Sequence, residues 1–168
     1  MLLEPSFDHH RSVTTTENPA QLVVDGVERC LELATTWPAW DGLLIQGEET
    51  DDGDGNQWTP LKALRRINDH LVDHLHEVEA LLADAEPMPD EWHGRFVTLA
   101  ADLPPVTEAD IDEARSRLRR LARSYLLRYT MAGPDEWDAP RGKAWTLREI
   151  AEHVSHVDLY AQEVGRLR

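Results

Sequence analysis

The chain has 168 residues, 41% of them hydrophobic, and carries 32 acidic against 17 basic side chains, a formal net charge of -15. That length fits one domain with about 70% of its unfolded surface buried, so a core forms without staples. The charge repels nucleic-acid phosphates and anionic lipid heads, and the single cysteine, Cys30, excludes an intrachain disulfide.

Residues 1–17 show no helical period and hold Thr14, Thr15, Thr16, His9 and His10. They read as a flexible N-terminal arm, and residues 18–168 as one helical domain. The opening Met1-Leu2-Leu3-Glu4-Pro5 lacks the basic and apolar regions of a signal peptide, and no charge-free run approaches a membrane span. The cytoplasm is therefore the expected compartment, with neither membrane nor nucleic acid as a partner.

The first helix opens at Asn18-Pro19, a cap followed by proline. Leu22, Val23, Gly26, Val27, Cys30, Leu33, Ala34 and Trp37 follow as one stripe at helical spacing. The acidic loop after it places Asp52, Asp54 and Asn56 at alternate positions, like the start of a calcium loop. Gln57 and Ala63 stand where glycine and the twelfth-position carboxylate are required, so the motif fails.

The second helix opens at Trp58-Thr59-Pro60 and is expected to reach about Ala85, with Leu64, Ile67, Leu71, Leu75, Val78, Leu81 and Leu82 facing inward. Residues 86–106, including Trp92, His93 and Phe96, form a long connection that packs over one end of the fold. The third helix opens with Thr107 and Asp110 in a capping-box pattern. It shows Ile111, Ala114, Leu118, Leu121, Ala122, Tyr125 and Tyr129 on one side and stops at Gly133-Pro134. Its arginines, from Arg115 to Arg128, share the helix with Asp110, Asp112 and Glu113 and read as a solvated face. The fourth helix opens with the capping box Thr146…Glu149 and is expected to run almost to Arg168. Four amphipathic helices without a convincing strand make an all-α four-helix bundle. Trp58-Thr59 and Trp145-Thr146 precede helices two and four alike, a faint internal repeat.

The histidines concentrate on those two helices. His70 and His74, four apart, share a face of helix two, His74 near the centre of the apolar stripe, and such a pair can present two ring nitrogens to one ion. His153 sits on the edge of the inward stripe of helix four, with His156 and Tyr160 further round the same flank. A divalent metal (zinc, nickel or iron) shared between the helices would draw its ligands from His70, His74, His153 and His156. Tyr160 would act as a proton donor, and Arg66 or Arg148 would receive a substrate carboxylate. The alternative for each histidine is a packed or rim position without metal. A di-iron carboxylate site is disfavoured because helix four has no Glu-x-x-His.

The run from Trp145 to Val154, with a histidine eight residues after the tryptophan, resembles a helix opening of the DinB/YfiT-like superfamily. His156 to Gly165 and the histidine-bearing Leu61 to Leu82 resemble two further helices of that family, and helix order agrees over residues 18–168. The resemblance implies a four-helix bundle, often a homodimer, with a divalent metal on three histidines and, in characterised members, chemistry on low-molecular-weight thiols. Tyr160 stands where the resemblance puts the second histidine of the helix-four pair, and Arg66 stands eight residues after Trp58. Two functions follow as expectations. One is a small-molecule or partner-binding bundle with an altered metal site. The other is a divalent-metal-dependent transferase or isomerase acting on a small thiol or thiol conjugate.

Overall fold

A computed structural model describes residues 17–47, 57–89 and 97–168. These residues are mostly helical with little strand. The arm up to Thr16, with His9 and His10, the calcium-loop-like acidic stretch, and Trp92, His93 and Phe96 lie outside the described residues.

Helix α1 spans Gln21–Ala34. Asn18 starts it: its Oδ1 accepts from the Ala20 N–H at 3.0 Å and its carbonyl from the Gln21 N–H at 3.0 Å. Val23, Gly26, Val27, Cys30, Leu31 and Ala34 are buried. Leu22, expected in that stripe, is instead exposed. At about 100° per residue Leu22 and Leu31 lie on opposite flanks of the stripe, and the flank bearing Leu31 is the buried one. A 3-10 turn, Trp37–Ala39, follows, and the buried Trp37 donates Nε1–H to the Gly165 carbonyl at 2.9 Å. Two short strands not expected from the sequence, β1 (Ile45–Gln46) and β2 (Gln57–Trp58), then pair antiparallel.

Helix α2, Pro60–Leu82, begins where Thr59 accepts from the Lys62 N–H and Pro60 needs no partner. Ala63, Ile67, Leu71 and Val78 are buried. The helix stops before Asp84, whose φ is 56°, a left-handed position that aspartate tolerates and a helix does not. The described part of the connection includes the 3-10 turn Ala100–Asp102, which packs on the start of α2. There the Thr59 hydroxyl donates to the Asp102 carbonyl at 2.6 Å, and Arg65 grips the Asp102 carboxylate at 2.9 and 2.7 Å.

Helix α3, Glu108–Ala132, carries the expected Thr107–Asp110 capping box and ends at Gly133, φ 81°. Its arginines are tied down at the surface: Arg115 to Asp112, Arg117 to Glu113, Arg119 to Glu28 and Arg128 to Glu79. A one-turn helix α4, Pro134–Trp137, follows. Trp137 is buried and donates Nε1–H to the Tyr129 carbonyl at 2.8 Å.

The fourth helix of the sequence reading is two helices, α5 (Leu147–Ser155) and α6 (Asp158–Gln162). The cause lies in α1. Arg29 donates Nη2–H to the Ser155 carbonyl at 2.9 Å and binds the Asp158 carboxylate at 2.9 and 3.3 Å. That carbonyl also presses on Gly26, where a Cβ would sit 2.5 Å from it. Drawn towards α1, it does not receive the Leu159 N–H, which bonds the His156 carbonyl at 3.0 Å instead. The chain tightens to a 3-10 turn there and then resumes.

Helix α1 packs against α3, α5 and α6, and α2 packs against the same three. The core between them is built by Val23, Val27, Ile67, Leu71, Leu118, Tyr125, Tyr129, Ile150 and Val154. Tyr125 and Tyr129 are buried to the hydroxyl and donate to the Leu71 and Leu147 carbonyls at 2.7 and 2.6 Å. Among the described residues no helix is long and apolar enough to cross a membrane.

Candidate metal centre

Lys62, Arg66, His70 and His74 follow one another at four-residue spacing on α2, so they form one row along its face. α5 and α6 lie against that face. They bring in His153 from the last turn of α5 and Tyr160 from α6. The ring centroids of His70 and His74 are 4.6 Å apart, those of His70 and His153 5.0 Å, and those of His74 and His153 4.8 Å. One nitrogen from each ring can be chosen so that all three lie within 4.8 Å of one another. Nitrogens bound tetrahedrally at about 2.0–2.1 Å from zinc are about 3.4 Å apart. Small side-chain rotations close that difference, so the residues present fit a divalent ion.

The protonation pattern suits ligation. The Glu77 carboxylate lies 2.7 Å from His74 Nδ1, so a neutral His74 facing it carries its proton on Nδ1 and offers Nε2 as the lone-pair donor. Burial, and after it the neighbouring His74, hold His153 below the ordinary histidine range. The neutral, metal-binding imidazole is thereby favoured even though the residue's outer edge is solvent-exposed.

Aromatic rings flank the trio. Trp145 packs on His153 at 4.9 Å between centroids and lies nearly parallel to His74 at 6.4 Å. Tyr160 presents its ring edge-on to His70 at 5.6 Å, and Trp58 packs on Tyr160 at 6.0 Å. The Arg66 guanidinium lies over the Tyr160 ring, 5.3 Å from its centre. Three neutral imidazoles leave coordination positions for water or an exogenous donor, the condition for a catalytic rather than a purely structural ion.

Of the sequence-derived candidates, the structure gathers His70, His74 and His153, with Tyr160 beside them. His156 is not of that trio; its backbone ends α5 and its side chain is exposed. His76, also on α2, is exposed and accepts the Met88 N–H at 3.2 Å. The two arginines proposed to receive a carboxylate have parted. Arg148 is bound to Asp138 at 2.7 and 3.0 Å. Arg66, expected near the mouth, is buried with 5% exposure. Cys30 is buried as read, and burial pushes its thiol up to about 12, so it is no nucleophile.

Glu77 as the group that orients His74 and Trp145 as a wall of the site were not singled out from the sequence. A carboxylate three residues after an inward histidine was the available signal for the first. For the second it was the internal repeat that puts Trp145 directly before the Thr146 cap of the helix bearing His153. The chain matches no protein-family model, no curated protein and no solved structure.

Proposed function

We propose that this protein is a DinB/YfiT-like four-helix bundle that holds a divalent metal on His70, His74 and His153 and acts on a low-molecular-weight thiol or thiol conjugate. The observation that supports it is the convergence of three imidazoles, from two separate helices, within 4.8 Å. The reading also draws on the position of His153, eight residues after Trp145, where the resemblance expects a ligand. Two imidazoles come from α2 and one from α5, so Tyr160 stands beside the trio.

A divalent ion held there lowers the pKa of a bound thiol and keeps the thiolate ready for attack. The chain's own residues do the rest. Glu77 fixes the tautomer and the aim of His74. Trp145 packs against His74 and His153 and forms a wall beside them. Tyr160, edge-on to His70, is the proton donor of this reading.

Metal analysis of protein purified without an affinity tag tests the reading. About one equivalent of zinc, nickel or iron is expected, lost in the His74→Ala, His153→Ala double variant with helical content retained. A wild-type protein that is metal-free after growth in supplemented medium, and that takes up none of the three on titration, would refute it. That outcome would leave the bundle as a small-molecule or partner-binding protein.

A further inference from the structure

Arg66 is the unexplained member of the row on α2. It is buried, yet its Nη1 has no hydrogen-bond partner. Asp69 is 3.8 Å from that atom, beyond hydrogen-bond range, and is shared with Arg65 at 3.7 Å. The Tyr160 ring beside the guanidinium carbon offers Nη1 no hydrogen-bond acceptor. A buried cationic donor without an acceptor is costly to keep, and arginine is the residue whose rigid fork matches a carboxylate.

The neighbouring donors are accounted for differently. Lys62 Nζ donates to the Gln57 carbonyl at 2.7 Å and the Thr98 hydroxyl at 3.2 Å. Trp58 Nε1 is also without a partner, but the Gly47 backbone lies against it: a Cβ on Gly47 would be 2.6 Å away. Arg66 is thus one ring away from the trio, on the same face of α2 and joined to it through Tyr160, which touches both Arg66 and His70.

We infer that Arg66 binds the carboxylate of the molecule whose donor atom sits on the histidine trio, so that the substrate class is a small thiol carrying a carboxylate. This rests on the metal reading above. Arg66 precedes His70 by one helical turn, about 6 Å along the axis. The carboxylate and the sulfur are therefore separated by a short chain of carbons rather than attached to the same carbon.

The test uses full-length protein loaded with cobalt(II), whose sulfur-to-metal charge-transfer absorption reports thiolate binding. 4-Mercaptobutyrate is titrated against its neutral counterpart 4-mercaptobutanol. The carboxylate thiol is expected to bind at least tenfold more tightly to the wild type, and to lose that advantage in Arg66→Gln while 4-mercaptobutanol binds both proteins equally. Arg66→Lys, which keeps the charge without the fork, should retain part of the preference and carries the test if Arg66→Gln fails to fold. Equal affinities in the wild type, or a preference that survives Arg66→Gln, overturn the inference and leave the metal reading standing. Failure to take up cobalt at all overturns both.

Discussion

Glu77 gives the sharpest handle on the site, because it touches a ligand without being one of the trio. Its carboxylate is 2.7 Å from His74 Nδ1, and removing such a partner usually weakens metal affinity about 10–100-fold, or roughly 1.4–2.7 kcal/mol. In Glu77→Gln the amide oxygen can still accept the Nδ1 proton, so the loss should fall near tenfold; in Glu77→Ala it should approach a hundredfold. The effect appears again in stability. At a metal concentration 100 times the wild-type Kd, binding stabilises the folded chain by about 2.7 kcal/mol. A tenfold weaker site retains about 1.4 kcal/mol and a hundredfold weaker one about 0.4 kcal/mol by the same relation. For a chain of this size the difference lowers Tm by about 3–9 °C in the presence of metal. Competition of cobalt-loaded protein against a chelator gives the affinity, and thermal unfolding with and without metal gives the linked term. The cobalt absorption bands should keep their positions, since the coordinating atoms are unchanged. Unaltered affinity in Glu77→Ala, or a loss of affinity accompanied by an equal loss in metal-free stability, would refute the orienting role.

Two further outcomes follow from the packing around the site. Gly26→Ala places a Cβ 2.5 Å from the Ser155 carbonyl oxygen and 3.2 Å from its carbon, backbone that can yield only if α1 and α5 separate. Helix propensity alone favours alanine by up to about 1 kcal/mol, whereas such overpacking costs about 1–3 kcal/mol. Urea unfolding should show a net loss, and a variant more stable than the wild type would show that the joint is not closely packed. Burial, the largest single effect, draws Asp102 upward, but the Arg65 hydrogen bonds, the Leu99 N–H and the Arg65 and Lys62 charges together hold it below its ordinary 3.8. A depressed carboxylate contributes stability that is fully present above that ordinary value and is lost as pH falls through the folded value. Asp102→Asn should therefore be less stable than the wild type at pH 7 and lose less on acidification below about pH 4. Parallel stability curves for the two proteins from pH 7 to pH 3 would contradict the assignment.

What the sequence made legible is what local chemistry decides. Thr59-Pro60, Thr107 with Asp110, Thr146 with Glu149, and Gly133 mark helix ends through contacts within a few residues, and the observed caps use those groups. The His70–His74 pair was legible for the same reason, being set by one helix. For the third imidazole the sequence favoured His153, on the edge of the inward stripe and eight residues after Trp145, without excluding His156. His153 and His156 are only about 60° apart around an ideal helix, and the joint that ends α5 next to His156 is made by Gly26 and Arg29, more than 120 residues away in sequence. The burial of Arg66 was not legible for a related reason: an amphipathic pattern assigns cations to solvent, and only the packing of α6 against α2 makes burial of this one possible.

The internal repeat acquires a physical meaning from this geometry. Thr59 and Thr146 cap α2 and α5 in the same way, and the residues eight positions after the paired tryptophans are Arg66 and His153. Both face the same region, Arg66 through Tyr160 and His153 through direct ring contact with His70 and His74. Matched helix starts thus deliver side chains to one place from two sides. Because one delivers an imidazole and the other a guanidinium, the place has an imidazole pole and a cationic pole. Two imidazoles in those positions would have made it symmetric and blind to the orientation of a ligand. With unlike groups the place is polarised, and Tyr160, in contact with both Arg66 and His70, lies between the two.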